Sequence, residues 1–253
     1  MIDDKIPGFI TVRASSTRLP NKCFLSFGEK YNVLQHIIIR SKYYDLEPIV
    51  CTSTDSSDDL IEKLAKKERV KYFRGSLVNK LKRWLDCANH FNIDAFHTID
   101  ADDPFFDGEE IKISMKKLKE NNLDVVTPTE SSNNGGGSVG YSLKSNIVKK
   151  ALKGIDKDTD TEMMWVFLEK VKNVKIFNLP ENFQRPKKLR LTLDFEEDYH
   201  LLKFVQNILG STVERKKVDD LFFNNPDLYK INWFRNSQWK ESQNDKIKKN
   251  KNE

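Results

Sequence analysis

Five short runs rich in β-branched and aromatic residues punctuate the first half of the chain, at 6–12, 48–54, 70–73, 94–100 and 123–127. Between them the apolar positions change to a helical period. Val33, Leu34, Ile37, Ile38 and Ser41 form one stripe, Leu60, Ile61 and Leu64 a second, and Leu77, Leu81, Trp84, Leu85 and Ala88 a third. Strand-helix alternation with short, right-handed crossovers predicts a three-layer, mostly parallel α/β sheet. In such sheets ligands bind beyond the carboxyl ends of the strands where strand order reverses, so the loop after the first run is well placed for a site.

From Pro128 to Lys188 the alternation weakens. "TESSNNGGGSVGYSLKS" is a polar, Gly-rich excursion, and Thr161 to Val171 has the look of another helix. Gly135, Gly136 and Gly137 read as a flexible hairpin or loop in preference to the alternative of a phosphate-cradling turn, because no strand-to-helix context surrounds them. An inserted α+β subdomain over about 128–188 is expected. The main pattern resumes with "LRLTLDFEEDYHLLKFVQNIL", a strand at 189–194 running into an amphipathic helix. One domain is expected over 1–235, followed by a disordered Lys- and Asn-rich tail over 236–253.

Composition narrows the classes. A chain of 253 residues can bury one substantial core, and 32% charged with 38% apolar residues suits a soluble globular protein. Apolar runs such as Ile37 to Ile39 are too short to span a bilayer, and "MIDDKIPGF" lacks a signal-peptide layout. A cytoplasmic protein with no membrane partner is expected. The net charge of +5 comes in part from the tail, and elsewhere Lys and Arg are interspersed with acids, so no nucleic-acid partner is expected. Cys23, Cys51 and Cys87 are widely spaced and read as buried thiols, not a disulfide or zinc framework. His36, His90, His97 and His200 have no metal-binding spacing.

The loop "VRASSTRLPNKCF" carries Arg13, Ser15, Ser16, Thr17, Arg18 and Lys22 between a strand and a helix, where backbone N–H groups and cations converge on an anion. It is neither a dinucleotide fingerprint nor a Walker loop. Three cations with hydroxyls between them suit a polyphosphate; a turn with ordinary surface ion pairs is the alternative. In "FHTIDADDPFFD" the strand ends in Asp100, Asp102 and Asp103, with Asp100 and Asp102 on one face. Crowded carboxylates repel unless a cation neutralises them; N-capping of a helix over 109–118 is the competing reading. In "LRLTLDFEED" Arg190, Thr192 and Asp194 share a face, Asp194 being also a candidate cap for the helix from Phe195. A few carboxylates completed by phosphate and water are what Mg²⁺ prefers. The combination points to nucleotidyl chemistry.

These residues resemble the sugar-activating cytidylyltransferases, especially the spore-coat-polysaccharide-type proteins and the 3-deoxy-manno-octulosonate cytidylyltransferases. "RASSTRLPNK" is similar to their signature loop, "CTSTD" to their second-strand segment, "YFRGSLVNKLKRW" to their Phe-Arg-Gly-Ser segment, and "DADDPFFD", "LRLTLDFEED" and "NNPDLYKIN" to later motifs in the same order. The resemblance implies a Rossmann-like, GT-A-like nucleotidyltransferase sheet and transfer of CMP from CTP to a sugar acid, with Mg²⁺ as cofactor. By resemblance, Arg13, Ser15, Ser16, Thr17, Arg18 and Lys22 hold the CTP phosphates, Asp102 and Asp194 ligate Mg²⁺, and Asp100 is a further nucleotide-binding residue. Thr52, Ser53 and Asp55, with Arg74, Gly75, Ser76 and Arg83, would border base and ribose. Glu162 and Arg190 would meet the acceptor, and the 128–188 region would supply its pocket and a homodimer contact. The chain departs from the family pattern at Ala101, Asp103 and Met163, which bears on the acceptor more than on the nucleotide. A CTP-binding protein without turnover and a nucleotide-sugar-dependent glycosyltransferase are the other readings, the second disfavoured by the triphosphate-type loop.

Overall fold

The first apolar run folds as strand β1 (Ile6–Thr11), and its alternation decides the layering: Phe9 and Ile10, adjacent and fully buried, enter separate core clusters on opposite faces of one sheet. The structure, a computed structural model, describes residues 5–16, 18–181 and 184–252. After β1 come α1 (Val33–Tyr43), β2 (Leu46–Ser53), α2 (Asp59–Lys67), β3 (Lys71–Gly75), α3 (Lys80–His90), β4 (Ala95–Asp100) and α4 (Gly108–Glu120). They are followed by β5 (Val125–Thr127), α5 (Glu130–Asn133), β6 (Ser142–Lys144), α6 (Ser145–Ala151), α7 (Trp165–Leu168) and β7 (Ile176–Asn178). The chain ends in α8 (Glu196–Leu209), α9 (Arg215–Asn224) and α10 (Arg235–Asn252).

The strands form one sheet in the order β3-β2-β1-β4-β6-β5-β7, parallel except where β6 pairs with β4 and β5. This is the expected three-layer α/β fold, and β1 to β5 are the five expected strands. Leu81 and Trp84 of α3 and Ile147 and Val148 of α6 pack with Phe9 and Phe96, whose rings stack 4.1 Å apart. On the other face, residues of α1, α2 and α4 pack with Ile10, Val50 and Ile99. Burying a side chain of this size contributes roughly 2–3 kcal/mol, so the stripes read in the sequence are what hold the helices to the sheet.

Within the 128–188 stretch, β6 and β7 join the main sheet. β6 approaches β4 through Gly140, at φ +85°, where a Cβ would lie 1.9 Å from the Thr98 carbonyl oxygen. The Thr98 N–H donates to Tyr141 O and the Tyr141 N–H to Thr98 Oγ1, each at 2.9 Å. Of the helix expected over 161–171 only α7 forms; ahead of it the Thr161 hydroxyl accepts from Leu81 N at 2.9 Å and donates to Asn79 Oδ1 at 3.0 Å, closing the start of α3. Residues 189–194 are extended but join no sheet. The Leu191 N–H donates instead to Gly135 O at 2.8 Å and the Leu193 N–H to Asp102 O at 2.7 Å, which fixes the Gly-rich loop rather than leaving it a free hairpin.

The tail expected to be disordered is helix α10. Its anchors are single residues that composition does not weigh: Trp239 under the Arg190 guanidinium, Ile247 against the main core, and Asn250, 2% exposed, donating to Asp160 O at 2.9 Å. Among the described residues no helix is long and apolar enough to cross a membrane, and Cys23, Cys51 and Cys87 are buried free thiols.

Candidate active site

Strand order reverses between β1 and β4, and the loops leaving these two strands face each other there. Thr11 and Asp100 are in register, and Ala101 N donates to Thr11 O at 3.1 Å. A cleft of about 570 Å³ opens over this edge. Arg13, Ser15, Ser16, Arg18 and Lys22 line it from the loop after β1; Asp100 from the end of β4 and Asp102 and Asp103 from the loop after it; and Thr192 and Asp194 from segment 189–194. Three segments distant in sequence are thereby brought together. Thr17 lies outside the described residues.

Lys22 is the centre of this group. A short 3₁₀ turn over Lys22–Phe24, entered through Asn21 at φ 54°, buries Cys23 and sends the Lys22 side chain back to the sheet edge. Its Nζ donates to Asp102 Oδ2 at 3.1 Å, Asp194 Oδ1 at 2.9 Å and Leu193 O at 2.8 Å, engaging all three ammonium protons. Arg18 adds a second cation to Asp194 Oδ1 at 2.8 Å and donates to Ser242 Oγ at 3.1 Å. Burial by itself pushes the Asp194 carboxyl up, but Lys22 and then Arg18 outweigh it and hold the group down at about 2. Burial likewise pushes the Lys22 ammonium down, and Asp102 and Asp194 together raise it above the ordinary lysine value. Neither Asp102 nor Asp194 is a helix cap. Asp107 caps α4, and the N–H groups of Asp194 and Phe195 are taken by Asp198 Oδ2.

A second set of charges lies along the floor. Arg13 donates to Glu162 Oε2 at 3.1 Å and Leu77 O at 3.0 Å. Lys80, in the first turn of α3, pairs with Asp100 Oδ1 at 3.2 Å over the Trp84 ring. Lys80, then Arg13, hold Glu162 down to about 2 against its burial. Burial, reinforced by Asp102 and Asp100, pushes Asp103 well above the ordinary carboxylate range, and Thr192 Oγ1 donates to it at 2.7 Å. Lys80 was not singled out in the sequence, although it falls four residues before Trp84 on the same helical face. The stacked rings of Tyr141 and Trp165, 5.8 Å apart, form an apolar wall, and Trp239, Ser242, Gln243 and Lys246 of α10 form another side.

The other expected binding residues do not line the cleft. Thr52 Oγ1 and the Ser53 N–H donate to the buried Asp58 carboxyl at 2.9 and 3.1 Å, and Asp58 in turn accepts from Ala14 N at 2.7 Å, so these residues hold the loop from behind. Asp55 caps a 3₁₀ turn through Ser57 N. Arg74 faces away, bound to Glu62, Asp59 and the carbonyls of Ser53 and Asp55. Gly75 is confined by Phe73 and Arg83, and Ser76 Oγ accepts from Asn79 N. Arg83, 1% exposed, lies beneath this loop and donates to Ser76 O at 2.6 Å. Arg190 is corrected from an acceptor ligand to a structural residue: it is fully buried and makes two 2.8 Å bonds to Asp198.

Carboxylates and cations converging at a topological switch point are the equipment of phosphoryl or nucleotidyl transfer. Comparisons with known proteins agree. The chain is 28% identical over 238 residues to an uncharacterised protein of Methanocaldococcus jannaschii, covering 90% of this chain and 94% of that one. It is 25% identical over 230 residues to the spore coat polysaccharide biosynthesis protein SpsF of Bacillus subtilis, covering 86% and 94%. A cytidylyltransferase structure from Leptospira borgpetersenii superposes with a TM-score of 0.80 at 26% identity, covering 89% of this chain and 96% of that one. A CMP:2-keto-3-deoxy-manno-octonic acid synthetase complexed with CTP shares the fold, with a TM-score of 0.62 at 12% identity over 80% of this chain and 98% of that one. The cytidylyltransferase family model matches residues 8–207, and with Arg13, Arg18, Lys22, Asp102 and Asp194 gathered inside that span, the chain belongs to the cytidylyltransferase family.

Proposed function

We propose that the protein is a Mg²⁺-dependent cytidylyltransferase that moves CMP from CTP to a sugar acid of the ulosonic type, releasing pyrophosphate, for surface-polysaccharide synthesis. The observation that carries this reading is the convergence of Asp102 and Asp194 on Lys22, next to the Arg13 to Lys22 loop. The polysaccharide role is supported by the name of the B. subtilis relative, and the sugar-acid class by that of the octonic acid synthetase.

Mg²⁺ suits the donor set. The Asp102 and Asp194 carboxylates converge on the Lys22 ammonium, so their oxygens lie close to one another. Carboxylate oxygens completed by water and substrate phosphate are the ligands Mg²⁺ takes. When bound there, it would offset the charge on the α-phosphate and the acceptor oxygen.

In the reaction an acceptor oxygen attacks the α-phosphorus of CTP, and the bond to the bridging oxygen of pyrophosphate breaks in line. Before substrate arrives, Lys22 holds the two carboxylates in place. Arg18 and Lys22 then stabilise the departing pyrophosphate, and Arg13 orients the triphosphate. Tyr141 and Trp165 offer the acceptor ring a flat apolar face. The experiment is pyrophosphate release from CTP and Mg²⁺ with a panel of ulosonic acids. Acid-dependent release with formation of a CMP-sugar is expected; no release with any sugar acid, from folded protein that binds CTP, would reject the reading.

A further inference from the structure

Helix α10 lies beyond residue 207, where the family match ends. Both of its ends are fastened. At the start, Arg235 pairs with Glu197 at 2.8 Å and the buried Asn236 accepts from Arg190; at the far end, Ile247 packs on the main core and Asn250 donates to Asp160 O. Between these anchors Trp239, Ser242, Gln243 and Lys246 fall at i, i+3, i+4 and i+7, which puts them on one helical face, and that face lines the cleft.

Two residues of this face bear on the phosphate loop, one directly and one through Glu162. Ser242 Oγ accepts from Arg18 Nη1 at 3.1 Å. Lys246 acts electrostatically on Glu162, the carboxylate that pairs with Arg13. One turn of α10 therefore bears on both arginines of the loop. Arg13, Arg18 and Lys22 each already face a carboxylate, so a triphosphate calls for further donors and a further cation, and α10 carries a hydroxyl, an amide and an ammonium on its cleft face.

We propose that α10 is a clamp on the triphosphate, in which Ser242 and Lys246 complete the anion site begun by Arg13 and Arg18. This rests on the CTP reading above. The test is calorimetric titration of the full-length chain with CTP and with CMP in Mg²⁺, for the wild type and for Lys246→Met, Lys246→Arg and the Ser242→Ala/Lys246→Met double variant. These side chains lie at the cleft surface, away from the anchors, so the helix stays folded. The double variant is expected to bind CTP about tenfold more weakly, with CMP affinity and the acceptor KM unchanged. Lys246→Arg retains CTP affinity, and the loss in Lys246→Met shrinks at high salt. Unchanged CTP affinity in the double variant, equal losses for CTP and CMP, or an effect confined to the acceptor KM would overturn the clamp while leaving the enzyme reading intact. Absence of CTP binding by the wild type would remove both.

Discussion

Replacing Asp58 with Ala separates the residues that touch substrate from those that hold the loop. Asp58 is fully buried, and its carboxyl accepts from Ala14 N at 2.7 Å, Thr52 Oγ1 at 2.9 Å, Ser53 N at 3.1 Å and the Ser53 hydroxyl. The two hydroxyls can rotate to other acceptors. The two backbone N–H groups cannot, and each left unpaired costs about 1–3 kcal/mol. A total near 3 kcal/mol lowers the melting temperature by roughly 6–12 °C for a chain of this size. Ala14 sits between Arg13 and Ser15, so releasing it also loosens the phosphate loop, and CTP affinity falls about tenfold or more, equivalent to about 1.4 kcal/mol. Asp58→Asn keeps one acceptor oxygen and falls between the two. Thermal unfolding and calorimetric titration read both effects. A melting temperature within about 2 °C of wild type together with unaltered CTP affinity would refute the idea that Asp58 ties β2 to the loop.

Arg190→Met leaves the fully buried Asp198 without its ion partner and is expected to cost about 3–5 kcal/mol in denaturant unfolding, while the acceptor KM of the folded fraction stays the same; a raised KM at wild-type stability would return Arg190 to the acceptor site. Lys22→Met removes the ammonium between Asp102 and Asp194 and should lower kcat by roughly 10²–10³ with an unchanged circular dichroism spectrum; a loss under about tenfold would show that the ammonium is dispensable. Burial, aided by Arg40, pushes His36 down to about 3, and burial pushes His97 down to about 4. The folded state refuses protons that the unfolded chain accepts, so the stability these residues contribute is complete above about pH 6.5 and is lost as pH falls toward their folded values. Between about pH 7.5 and 5 the pair should cost about 4 kcal/mol. His97→Gln should remove about half of that dependence in urea melts; an identical slope in the variant would contradict it.

Much of the fold was legible because period and alternation are local properties. The strands β1 to β5 and the stripes of α1 and α3 follow from them, as does the shared face of Thr192 and Asp194. The loop from Arg13 to Lys22 was legible for a related reason: cations concentrated after a strand have few structural uses. Residues whose role is set by a distant partner were not readable in this way. Thr52 and Ser53 looked like a binding segment, but their hydroxyls turn to Asp58. Arg190 shares a strand-like face with Asp194, yet the chain turns into α8 between Arg190 and Asp198, and the two close on each other inside the core. In α10 the net composition is polar, and a few single residues, among them Trp239, Ile247 and Asn250, do the anchoring. Thr161 begins a periodic segment in the sequence, yet its hydroxyl donates to Asn79 at the start of α3 and the helix forms only over Trp165–Leu168.

The convergence of Arg13, Arg18 and Lys22 with Asp102 and Asp194 is tested most directly by calorimetric titration of the full-length protein with CTP, UTP, GTP and ATP, each with and without Mg²⁺. Selective CTP binding that Mg²⁺ strengthens, with the Mg²⁺ contribution abolished in Asp102→Asn, is the expected result. Binding of no nucleotide, or equal binding of all four irrespective of Mg²⁺ and of Asp102, would contradict the assignment of this cleft to cytidylyl transfer.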